Sequence, residues 1–206
     1  QSENRKQTEV KRLKKRIELQ KEINKRADIE ARKIMLVSQS EQDELTKIYN
    51  RRGIKRHVGA KFKETQQLQK SFSIAIVDVD YFKEYNDTYG HPAGDNILQT
   101  IAQILEESVS KAGIVGRYGG DEFLIAIAQR NSEEVEQIIC CIREKLKQKA
   151  IKNRRSTVSE YVTVSIGAVN VVPERKTLLS EYIHAADHVR SGFHDAGIYD
   201  FRHALR

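Results

Sequence analysis

Behind a long N-terminal helix, this chain of 206 residues predicts one α/β sandwich. Three observations carry that prediction. No proline or glycine occurs before Gly53, in a segment dense in Lys, Arg, Glu, Gln and Ala, all strong helix formers apart from the scattered β-branched residues. Phe72-Ser73-Ile74-Ala75-Ile76-Val77 has the length and β-branched content of a central strand. Gly119-Gly120 lies between two strand-like runs, Ile114-Val115 and residues 123–128, and marks a hairpin turn whose positive φ glycine tolerates.

Within the arm, Val10, Leu13, Ile17, Gln20, Asn24, Ala27, Ala31 and Ile34 follow alternating steps of three and four, the seam of a coiled coil. Gln20 and Asn24 weaken that seam but can specify register and a two-stranded state. The alternative is a lone amphipathic helix packed on the body. The arm also holds the charge. Residues 1–40 carry twelve Lys and Arg against six Asp and Glu, whereas the rest is near balance within a net charge of +7. Without interleaved aromatics, glycines or a DNA-reading module, this basicity reads as a solvated helix face rather than a nucleic-acid surface.

The body alternates helices and strands. A helix is expected over 52–68, a strand over 72–79, a short helix over 82–88 and a longer one over 93–109. After the hairpin come a helix over 132–149 with Val135, Ile138, Ile139, Ile142 and Leu146 on one face, and a polar connection over 147–155. A strand over 162–169, a helix over 178–190 and a closing strand at Ile198-Tyr199-Asp200-Phe201 complete it. The sequence divides into residues 1–40 and 41–206. No stretch has the apolar length of a membrane span or the form of a signal peptide. Cys140 and Cys141 are neighbours on one helix, which fits a reduced, cytoplasmic compartment. Because the first residue is Gln1, the chain is expected to be the cytosolic part of something longer, with an upstream sensor outside it.

Two acidic sites carry the chemistry. Asp121 and Glu122 follow the Gly-Gly turn directly, and the strand 72–77 runs into Asp78-Val79-Asp80. Adjacent carboxylates repel each other unless a cation or a reacting hydroxyl faces them. A strand ending in Asp78 beside a hairpin carrying Asp121 offers hard oxygen ligands suited to Mg²⁺, the ion of phosphoryl and nucleotidyl transfer. The plainer alternative is a solvated acidic turn.

Arg117-Tyr118-Gly119-Gly120-Asp121-Glu122-Phe123, together with the run from Ile76 to Lys83 and Asn86-Asp87-Thr88-Tyr89-Gly90-His91, resembles the GGDEF family of diguanylate cyclases. The segments from Asp43 to Arg52 and from Val162 to Gly167 extend the resemblance, which covers residues 41–202 with its motifs in order. The resemblance implies an α/β fold similar to polymerase palms and nucleotide cyclases, a central sheet flanked by helices. It implies condensation of two GTP into cyclic di-GMP with release of two pyrophosphates. Each domain would hold one GTP, so the active form would be a homodimer aligned by the N-terminal coiled coil, a signalling stalk.

The implied roles fall on matching positions. Asp78, the backbone carbonyl of Val79 and Asp121 would hold Mg²⁺ or Mn²⁺. Glu122 would lie near the attacking 3′-hydroxyl or the metal. Lys83 would offset charge on the phosphates, with Phe82 beside it, and Asn86, Asp95 and His91 would read guanine. Two departures stand out. The product-inhibition site of many relatives would fall on Ser110 and Gly113, which offer no Arg or Asp. In the C-terminal helix His194 and Ile198 stand where the family has phosphate-binding Lys and Arg, leaving Arg190 as a nearby cation. The competing expectations are a degenerate GTP-binding regulatory module with little turnover, and an arm that itself binds a partner or nucleic acid.

Overall fold

The computed structural model of the protein describes residues 2–110 and 113–192. They fall into two compact units, the first ending at Ser40 and the second beginning at Glu41. The first is a single helix, α1 (Ser2–Ser40). Its polar face is laced by short-range pairs: Arg26 with Glu22 at 2.7 Å, Arg32 with Asp28 at 3.2 Å, and Gln20 donating to Asn24 at 3.1 Å. Such i,i+4 pairs support an extended helix by a few tenths of a kcal/mol each (~0.2–0.5). Ile17, Leu19, Ile23, Ile29, Met35 and Leu36 are exposed along it.

The second unit is a four-stranded antiparallel sheet between two layers of helices. Its elements are α2 (Arg51–Leu68), β1 (Phe72–Val79), α3 (Phe82–Tyr89), α4 (His91–Val109), β2 (Gly113–Arg117), β3 (Glu122–Ala128), α5 (Ser132–Lys149), β4 (Val164–Val171) and α6 (Leu179–Gly192). The strand order is β2-β3-β1-β4, so β1 and β3 lie at the centre and the hairpin's first strand lies at an edge.

Strand periodicity divides the core into two layers. Ala75, Val77 and Val79 of β1 and Phe123, Ile125 and Ile127 of β3 face α4 and α5, against Ile97, Leu98, Ile101, Leu105, Ile139 and Ile142. Their alternates, Phe72, Ile74, Ile76, Leu124 and Ala126, face α2 and α6, against Ile54, Val58, Phe62, Tyr182 and Ala186. Each fully buried side chain of this size contributes about 1.5–3 kcal/mol of transfer free energy. Both central strands are therefore apolar on both faces, apart from the buried Ser73, until they reach Asp78 and Glu122.

Local signals set the helix ends. Asn50 caps α2, its Oδ1 accepting from the N–H groups of Arg52 and Gly53 at 3.0 Å each. Asn131 and Glu134 form a reciprocal capping box on α5. The α4 helix starts at His91, two residues before the expected 93, because Pro92 fits the first turn, where a missing N–H is harmless. The last strand begins at Val164 rather than 162. Residues before it pair elsewhere: Val162 N–H donates to Ile151 at 2.7 Å, and Lys152 bridges Tyr161. No described helix is long and apolar enough to cross a membrane. The strand expected at 198–201 lies outside the described residues.

Candidate active site

The β1–β3 register sets Asp78 directly opposite Glu122, and β4 brings Ser165 to the other side of Asp78. Asp121 precedes Glu122 in the turn. Burial pushes the Asp78 carboxyl up to about 6; Arg190 opposes that rise, and Asp121, Glu122 and Asp80 add to it. The strand end is thus a partly desolvated focus of negative charge.

Arg117 shapes the turn. Its Nε and Nη2 donate to the carbonyl of Gly120 at 3.0 and 2.7 Å, while the N–H groups of Tyr118 and Gly119 donate to the carbonyl of Glu122. Nη1 of Arg117 also pairs with Asp43 at 3.2 Å. Burial pushes the Asp43 carboxyl up, but the N–H and hydroxyl of Thr46 and the Arg117 charge outweigh it and leave it below 3.8. Asp80, two residues past Asp78, accepts from Thr163 and Ser165 hydroxyls, each at 2.6 Å, and so ties β1 to β4.

Next to this strand end, α3 starts from Tyr81 in the left-handed region (φ 56°) with no side-chain cap. Its first N–H groups are left open to an anion. Lys83 is exposed in that first turn and Phe82 is half-buried. Further along α3, Asn86 faces Gly94 of α4, so closely that a Cβ at Gly94 would collide with Asn86 Oδ1. That oxygen is buried and has no hydrogen-bond partner. Asp95 and His91 are exposed on the same end of α4. His194 and Ile198 lie outside the described residues.

Arg190, the cation expected near the phosphates, is engaged by acids. Its Nη1 donates to Asp78 Oδ2 at 2.6 Å, its Nε and Nη2 donate to Asp187 at 3.0 and 2.8 Å, and Nη2 lies 3.8 Å from Glu122. The α6 stripe explains this placement. Tyr182 and Ala186 are buried against the sheet, and Arg190 is the next residue on that stripe. A side chain at Gly167 would collide with the Ala186 carbonyl and the Arg190 N–H, so α6 crosses β4 at glycine-only distance. Sequence reasoning missed this pair, and also the Arg117–Asp43 brace and the role of Asp80. The spacing 182, 186, 190 was the available signal for Arg190.

The donor set at the strand end suits a divalent cation in its chemistry: carboxylates on Asp78 and Asp121 and a carbonyl on Val79 are hard oxygen ligands. Among the described residues, no three acidic, His or Cys side chains are gathered closely enough to enclose a metal alone.

The family model described as "Diguanylate cyclase, GGDEF domain" matches residues 40–193. Similar curated proteins include a probable diguanylate cyclase, DgcT of Escherichia coli strain K12, 31% identical over 146 residues, or 71% of this chain and 32% of that protein. Diguanylate cyclase DosC of the same strain is 37% identical over 129 residues, 61% of this chain and 27% of that one. The chain thus spans a third or less of these relatives. Among solved structures, the diguanylate cyclase SiaD of Pseudomonas aeruginosa, determined with its activator SiaC, is similar with a TM-score of 0.71. It is 27% identical, over 92% of this chain and 70% of SiaD. The coiled coil and GGDEF domain of DgcB from Caulobacter crescentus, bound to c-di-GMP, shares the fold at a TM-score of 0.69 and 21% identity, over 88% of this chain and 95% of that one. With its acidic turn facing Asp78 across an antiparallel sheet, the chain belongs to the GGDEF family of diguanylate cyclases.

Proposed function

We propose that residues 41–206 are a diguanylate cyclase domain that condenses two GTP into cyclic di-GMP and two pyrophosphates, and that residues 1–40 are its signalling helix. One observation carries the reading: Asp78 opposes Glu122, with Asp121 beside them, next to the uncapped start of α3. Mg²⁺ or Mn²⁺ held by Asp78, Val79 and Asp121 would neutralise charge on the reacting α-phosphate. Phe82 and Lys83 receive the phosphates at the α3 N-terminus, through backbone N–H groups and an ammonium. Glu122 stands where the 3′-hydroxyl approaches.

Guanine recognition follows from Asn86. Its orphaned oxygen is a buried group that the chain leaves unsatisfied, at about 1–3 kcal/mol. The amide edge of guanine offers the donors that would satisfy it. Asp95 accepts from the same edge, and His91 borders it. Each site holds one GTP, so two chains must face each other, and proximity supplies much of the rate. Pairing of α1 in two chains as a homodimer would raise that encounter.

Incubating the protein with GTP and Mg²⁺ and separating the nucleotides tests the reading. Cyclic di-GMP that disappears in Asp121→Asn is expected. Tight GTP binding without product would instead favour a GTP-binding regulatory module with little turnover, the reading that the Arg190–Asp78 pair supports.

A further inference from the structure

Several features of the described residues remain outside that scheme. A cavity of about 590 Å³ is lined by the loop 152–160, and another of about 420 Å³ by α5 and residues 159–164. Neither is lined by Asp78, Asp121 or Glu122. The Arg190 cluster is different, because it places a fixed positive charge among the acids that the chemistry requires.

Arg190 is held from two sides. On its own helix, Asp187 accepts two of its N–H groups. Across the sheet, Asp78 accepts a third at 2.6 Å, and Glu122 is 3.8 Å away. The guanidinium is largely shielded, its side chain 17% exposed, and burial would disfavour it without these partners. Its backbone lies close against β4, since α6 is seated on Gly167 at short range. A cation delivered by the chain therefore sits on the same Asp78 carboxylate that a divalent ion would need. Two cations on one carboxylate repel each other, and Arg cannot release its charge by deprotonation.

We infer that Arg190 is a tethered counter-cation of the carboxylate site, which a divalent metal ion must displace from Asp78 in order to bind. This rests on the reading of Asp78 and Asp121 as metal ligands. In the nucleotide-free protein the guanidinium offsets part of the acids' charge and keeps the site weak for metal. Metal entry releases Arg190 from Asp78 while Asp187 retains it. The consequence is a reciprocal penalty: whatever stabilises the Arg190–Asp78 pair lowers metal affinity by the same factor.

The test is Mn²⁺ binding to nucleotide-free protein at pH 8, read from the electron paramagnetic resonance signal of free Mn²⁺. Wild type is compared with Arg190→Met, which keeps an aliphatic stem, and with Arg190→Leu, with thermal melts to confirm folding. Both variants are expected to bind Mn²⁺ at least about tenfold more tightly, within the usual range for coupled sites. Equal or weaker binding by the folded variants would overturn the inference while leaving the metal reading intact. Absence of Mn²⁺ binding in wild type and variants alike, with a GTP analogue still bound, would overturn both.

Discussion

Asp78 sits where two demands on one carboxylate conflict. Burial and three neighbouring acids oppose its charge, and Arg190 only partly offsets them. Asp78→Asn and Asp121→Asn are therefore expected to abolish cyclic di-GMP formation while the fold survives. Asp78→Asn should leave the metal-free protein as stable as wild type or more stable, by up to about 1–2 kcal/mol in urea unfolding at pH 7 after allowing for solvent exposure. A loss of more than that would show that the ion pair outweighs the burial of charge. Asp43 has the opposite sign. Its carboxyl is held below the unfolded value of 3.8, so its contribution is present above pH 3.8 and is lost as pH falls through the lower, folded value. Asp43→Asn should destabilise at pH 7 by about 1–2 kcal/mol, with the gap to wild type closing as pH falls through that lower, folded value. Urea midpoints over pH 2–7 would measure both ends. Of these two residues, Asp78 was legible in the sequence, because an acid at the end of an apolar strand is conspicuous. The brace from Asp43 to Arg117 spans 74 positions and depends on a turn geometry that no local pattern encodes.

At the scale of elements, the central strands and the long helices followed from periodicity and composition, and β1 and α5 took the expected bounds. The misplaced ends have specific causes. β4 starts late because 151–153 and 160–162 pair with each other first. Which face of α6 meets the sheet was also legible in principle, but how closely it approaches was not, since that depends on Gly167 in another element. Gly167→Ala should push α6 from β4 and destabilise the protein by about 1–3 kcal/mol, the usual range for overpacking. It should also loosen Arg190 from Asp78, so Mn²⁺ should bind more tightly than in wild type. An unchanged urea midpoint would show that α6 can shift without strain. Gly94→Ala tests the other contact between elements: displacing Asn86 should weaken GTP binding by about tenfold or more, roughly one lost hydrogen bond to a buried group. Calorimetry with a GTP analogue checks this. Affinity equal to wild type would remove Asn86 from guanine recognition.

For the molecule as a whole, two compact units divide the labour proposed here, and the division predicts a concentration effect. A chain lacking residues 1–40 should form fewer dimers and turn over more slowly at dilute protein, with the rate partly recovering as concentration rises. Equal specific activity at every concentration would separate α1 from catalysis. Within the body, the acids are carried by β1 and β3, the only described strands with a neighbour on each side. Hydrogen exchange at the mid-strand amides of β1 and β3 should consequently be among the slowest of the described residues, because opening them requires breaking the centre of the sheet. Such a site has little room for graded adjustment by loosening. On the proposed two-domain reaction, control would then fall on how often a second loaded domain arrives, and from what angle.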